Sequence, residues 1–183
     1  MSPQLKFNWL DLVSLLIIIR VIYIAVSKGF VVEFFKIIAT LAGAFFSFQF
    51  YTGLGNFFLK YLPFLGEDVA SLLGFVLIFS IIWLLIKYLR TILTFLFKVE
   101  PHTVIERWFS LFLGILRTSL LISLMLFGIY LLNTEYLNRS SESSLSFHFL
   151  RKFAPKTYLF MANSLNKVFP AIEIDSQNLD NFL

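Results

Sequence analysis

Four stretches of this chain stay apolar for about the length a helix needs to cross a bilayer, and that limits its fold more than any other feature. Crossing the roughly 30 Å of hydrocarbon in a membrane takes roughly 20 helical residues. The runs fall at 9–27, 30–51, 69–87 and about 108–132. Composition agrees: 58 % of the 183 residues are hydrophobic and 14 % charged, and the mean hydropathy is +0.83, outside the range of soluble domains. The expected fold is all-α, a polytopic membrane protein with four transmembrane helices plus interfacial amphipathic helices and a C-terminal helix. The domain division expected is 1–134 for the transmembrane bundle and 135–183 for the tail.

Several classes are disfavoured at once. The first apolar run ends in small residues at Ala25–Ser27, as a leader would, but Asp11 precedes its core and Arg20 interrupts it. A secretory signal needs a basic start and an unbroken middle. The chain has no cysteine, so disulfides and thiolate metal sites are excluded. A net charge of +4, scattered between crossings, does not make a nucleic-acid face. His102 and His148, the two histidines, lie outside the crossings, so an intramembrane serine or metal enzyme lacks its parts. No catalytic residue, cofactor or metal ligand is assigned.

Lys and Arg near the ends of the crossings set orientation. Lys28, Lys36, Lys87, Arg90, Lys98 and Arg107 share one side. Opposite them are Lys6 and Lys60 in the short segments, with five more in a long tail. Long tails count for little in this rule, so both termini are expected outside the cytoplasm, with Arg139 arguing the other way.

Only "SKG" separates the first two crossings, so they should form a tight antiparallel hairpin. The second carries Glu33, Lys36, Thr40, Gly43 and Ser47 at alternating spacings of three and four, one face of a helix. Ala39, Gly43 and Ser47 form an overlapping row of small residues, suited to close helix packing in lipid. Two readings fit this stripe, a packing seam or a polar path. Thr52–Asp68 reads as an interfacial connection, and its Gly53-Leu54-Gly55 lacks the strand and third glycine of a nucleotide loop. Residues 88–107, split by Pro101, read as an amphipathic piece on the membrane surface. Within it His102 and Glu106 are spaced to meet as a proton-handling or solvated pair. The fourth crossing holds Ser110-x-x-x-Gly114, a second close-packing pair, and then Arg117. Beyond the polar linker 133–144, Pro155 and Pro170 bracket a helix at about 155–169 with Tyr158, Ala162, Leu165 and Phe169 on one face. The alternation at 144–150 resembles a strand without a partner.

Arg20 is the outstanding anomaly. It lies about eight residues before the turn, roughly 12 Å deep by helical rise, where an arginine costs about 2.5–3.5 kcal/mol on insertion scales. Glu33 is the nearest acid across the hairpin; a wet groove shared with Thr40 and Arg117 is the other option.

Four segments together resemble the colicin V production protein family of bacterial inner membranes. They are "NWLDL" at 8–12, "SKGFVVE" at 27–33, "IERWFSLFLGILR" at 105–117 and "SSLSFHFLRKFAP" at 143–155. Asp11, the Gly29-Phe30 pair followed by Glu33, Gly114 with Arg117, and the serine-leucine run carry the resemblance. Ser110 stands where the family commonly has glycine, and the resemblance assigns Arg20 no family role. The resemblance implies a multi-pass inner-membrane protein associated with peptide-toxin production or export and with envelope maintenance. It supplies no catalytic residues. The function expected is that of a non-enzymatic accessory protein in the lipid bilayer, contacting membrane or envelope partners or copies of itself, with a small oligomeric channel or transporter as the alternative.

Overall fold

The computed structural model describes residues 8–62, 64–96, 104–132, 144, 150 and 152–168. They form five long helices and no strand: α1 (Trp9–Lys28), α2 (Phe30–Tyr61), α3 (Glu67–Leu96), α4 (Val104–Leu131) and α5 (Phe153–Val168). The first four are long and apolar enough to cross a membrane. The chain is a multi-pass helical membrane protein.

α1 opens on a reciprocal cap. The Asn8 side chain accepts from the Trp9 amide, and the Asp11 carboxylate accepts from the Asn8 amide at 3.0 Å. These bonds satisfy amides that a helix start otherwise leaves orphaned. At the other end Gly29 alone separates α1 from α2. Its φ of 79° and ψ of 168° fall in a region essentially restricted to glycine, so the reversal depends on this residue.

The tight turn does not make a packed hairpin. α1 meets α2 only sparsely and lies mainly against α4, while α2 and α3 share the most extensive contact in the molecule. The reason lies in the residues at each seam. Ala25 of α1 sits against Gly114 of α4, where an added Cβ would come within 2.6 Å of the Ala25 Cβ. Between α2 and α3, a Cβ on Gly74 would lie 2.8 Å from the Tyr51 carbonyl oxygen, and one on Gly55 3.1 Å from the Ser71 Cα. Where no hydrophobic effect drives association, such close backbone approach decides which helices pair. Gly55 therefore belongs to a helix seam.

The helices also overrun the crossings expected for them. α2 continues through most of the connection expected at 52–68, and α3 continues through 88–96, so these stretches extend the crossings and do not form separate interfacial pieces. Pro101 and His102, and with His102 the pairing to Glu106, lie outside the described residues, as do residues 145–149 of the strand-like alternation and His148 within it.

α4 touches all four other helices. At the end of the bundle away from Gly29, the rings of Phe48 (α2), Phe75 (α3), Phe127 (α4) and Tyr158 (α5) close into one cluster. Phe48 lies 4.7 Å from Phe127, 5.6 Å from Phe75 and 5.4 Å from Tyr158, centroid to centroid. All four are buried. Such edge and tilted arrangements contribute beyond area alone. α5 is thus built into the core: Ala154, Tyr158 and Ala162 are each about 1 % exposed, the face of the tail helix read from the sequence. Side chains at 165 and 169 lie outside what is described.

Candidate functional site

The interior of an apolar bundle admits few charges, so the ones it holds mark where structure or function is concentrated. Glu33 stands one turn into α2, fully buried. Its Oε1 lies 2.5 Å from Lys36 Nζ on the same helix, and its Oε2 lies 3.0 Å from an Arg117 terminal nitrogen on α4. Arg117 is 7 % exposed. The cluster therefore joins two helices with one carboxylate and two cations. The Arg117 Nε has no hydrogen-bond partner among the described residues.

The remainder of the α2 stripe turns to other work. The Thr40 hydroxyl donates to its own helix at the Lys36 carbonyl (2.9 Å). The Ser47 hydroxyl donates across to the Phe75 carbonyl of α3 (3.2 Å). Gly43 faces the Phe79 ring, which an added Cβ would meet at 2.9 Å, and Ala39 is 3 % exposed. One helical face thus serves two seams, Glu33 toward α4 and Gly43 with Ser47 toward α3.

Ser110 and Gly114 form the floor of the α1–α4 seam. The Ser110 hydroxyl donates to the Ala25 carbonyl, a bond that glycine at 110 would not make. Phe30, just past the turn, places its ring 6.1 Å from Phe109 of α4 in an edge arrangement. Gly29, Phe30, Glu33, Ser110, Gly114 and Arg117 therefore share the end of the bundle near the turn.

Asp11 belongs to the far end. Besides capping α1, it is 5 % exposed and its Oδ1 accepts from the Ser144 hydroxyl at 2.8 Å, which ties the start of the first crossing to the segment leading into α5. Two further bonds hold α5: the Ala154 amide donates to Ser123 Oγ (2.9 Å), and the Tyr158 hydroxyl donates to Gln49 Oε1 (2.7 Å). Sequence reasoning passed over Ser123 and Gln49. The available signal was a polar side chain inside each of the apolar runs "LLISLMLF" and "FFSFQF", the second holding Gln49 beside Ser47, because such a group in hydrocarbon needs a bonding partner.

Arg20 is not brought to this cluster. It lies on the exposed face of α1 with Leu16, Ile19 and Tyr23, and the expected tie to Glu33 is not formed. Because α1 packs on α4 through Ala25 and buries Val21 one turn away on the same face, its Arg20 face turns outward, and Arg117 takes the carboxylate.

The four segments singled out in the sequence thus meet pairwise, the first with the last through Asp11 and Ser144, the second with the third through Glu33 and Arg117. The family model described as Colicin V production protein matches residues 10–155. The chain belongs to the colicin V production protein family. No curated protein and no solved structure matches it. Among the described residues of this family member, no three His, Asp or Glu side chains gather as metal ligands would.

Proposed function

We propose that this family member is a non-enzymatic accessory protein of the bacterial inner membrane, with both termini outside the cytoplasm. It supports peptide-toxin production or export, or envelope maintenance, by holding other membrane or envelope proteins. One observation carries the reading: the motif positions inside the bundle fasten distant parts of the chain to one another. Asp11 bonds Ser144, Glu33 pairs with Arg117, and Ser110 bonds the Ala25 carbonyl. Groups used in this way build a rigid scaffold, and a scaffold acts through its outer surface. That surface is extensive here, since α1 from Trp9 to Val26 and α3 from Val69 to Ile92 expose large apolar side chains.

Purification of the tagged chain from native membranes in mild detergent tests this. The expected result is a distinct membrane or envelope protein that co-purifies in constant ratio. Recovery of the chain alone, or only with copies of itself, overturns it.

A channel or transporter is the second reading, favoured by the excess cation of the Glu33, Lys36 and Arg117 cluster. The absence of cysteine supplies its test. In the Thr40→Cys variant, labelling by a membrane-impermeant thiol reagent means that water reaches the stripe. Protection in both intact cells and inverted vesicles means a dry seam, which is the outcome the scaffold reading expects.

A further inference from the structure

We propose that the outward face of α1 around Arg20 is a docking site for a transmembrane helix of a different protein, one that carries an aspartate or glutamate at mid-membrane depth. This rests on the reading that the chain works through protein contacts, and it names the chemistry of one such contact. Leu12, Leu16, Ile19, Tyr23 and Val26 are exposed along α1 at spacings of three and four. Leu16 is 59 % exposed, Ile19 57 % and Tyr23 73 %. Arg20 lies within this stripe and is exposed too. A guanidinium stays charged throughout the accessible pH range, so it needs a partner that the surrounding lipid does not supply.

Position and charge decide what that partner is. Arg20 is eight residues from Lys28, the last residue of α1, or roughly 12 Å by helical rise, and eleven from its first. Its aliphatic stem cannot carry the charge over that distance to a lipid phosphate without thinning the bilayer. A second copy of this chain lacks the counter-charge. Asp11 and Glu33 are buried and bonded to Ser144 and to Lys36 and Arg117. Glu67, Asp68 and Glu106 stand in the first turns of α3 and α4, and the other acids lie outside the four spans. The carboxylate must therefore come from another protein, on a helix whose apolar side chains pack along the stripe.

The test places the photo-crosslinking residue benzoylphenylalanine at Tyr23, one turn from Arg20, in the full chain in its native membrane. Irradiation is expected to give one adduct with a second membrane protein. Mass spectrometry should find an Asp or Glu inside a transmembrane segment of that protein. Arg20→Leu should lower the adduct about tenfold or more, the loss of a desolvated charge pair, and Arg20→Lys should keep most of it. Changing the partner's Asp or Glu to Asn or Gln should reproduce the loss. Because Arg20 is outside the core, Arg20→Leu should unfold at the unchanged temperature in detergent, so loss of the adduct reports the contact.

An adduct of twice the chain's mass overturns the proposal in favour of self-association. So does an adduct indifferent to Arg20, or lipid adducts alone. The same crosslinker at Phe160, 74 % exposed on α5, separates the two levels of inference. Adducts there but none at Tyr23 sink the α1 site and leave the accessory function standing; adducts at neither sink the α1 site, and recovery of the chain alone from native membranes then sinks the accessory function as well.

Discussion

Glu33 and Arg117 are each ordinary residues made exceptional by burial. Removing one charge strands the other in low dielectric, which costs about 3–5 kcal/mol, whereas replacing a buried pair by apolar groups of similar volume is often nearly neutral. Glu33→Gln should therefore lower the thermal midpoint in detergent markedly. The double variant Glu33→Leu, Arg117→Met should recover part of the loss in the same unfolding assay, short of full recovery because Lys36 still faces the site. Gly29 gives a second prediction at this scale. Its backbone lies where only glycine is comfortable, so Gly29→Ala should destabilise by about 1–3 kcal/mol, measurable in the same way. Both Glu33 and Arg117 were legible in the sequence as charges in apolar runs. Their pairing was not, because the sequence places Glu33 nearest to Arg20 and only the packing of α1 decides which arginine faces inward.

Small residues set which helices pair, and their tolerance to a single methyl should follow what that methyl meets. At Gly74 it meets the Tyr51 backbone, which cannot yield, so Gly74→Ala should separate α2 from α3 and destabilise by about 1–3 kcal/mol. At Gly43 it meets the Phe79 ring, which can rotate away, and the cost should be smaller. At Gly53, also within α2, it meets nothing within 4 Å. Gly53→Ala should be neutral or stabilising by up to about 1 kcal/mol through helix propensity. That order, read from three thermal midpoints, would reverse if α2 packed elsewhere. The α1–α4 seam adds a suppressor: Gly114→Ala should be damaging alone, and Ala25→Gly should relieve it. The rows at Ala39, Gly43 and Ser47 and at Ser110 and Gly114 were visible as spacing patterns. Gly74 was not, since its seam partner Gly55 sits in a stretch whose aromatics and Lys60 resemble an interfacial connection.

Across the whole molecule, the aromatic cluster depends on the last helix as much as on the four spans. Phe45 and Phe48 lose the Tyr158 ring if α5 is absent, and Ser123 and Gln49 lose their bonds. A chain ending at Leu132 should still insert but should be cleared faster in cells and unfold at lower temperature, as an immunoblot time course and a melt would show. A single cysteine at Ala162, about 1 % exposed, should resist thiol reagents in the full chain. It should label readily once Asp11→Ala and Ser123→Ala release the fastenings. The tail helix was legible from its prolines and its 158, 162 periodicity, whereas its docking against the bundle rather than lipid came from polar bonds that span distant parts of the chain.

The Asp11–Ser144 bond joins residues 133 positions apart, and that interval has a consequence for biosynthesis. The ribosome delivers α1 well before Ser144 and α5, so an early segment of the bilayer domain, its local cap already closed by Asn8 and Asp11, waits for a much later one before the Asp11 Oδ1 gains its partner. Until then Asp11 and the half-open aromatic cluster are on display. A membrane protease that reads such exposed groups would see an unfinished chain and a finished one as different substrates.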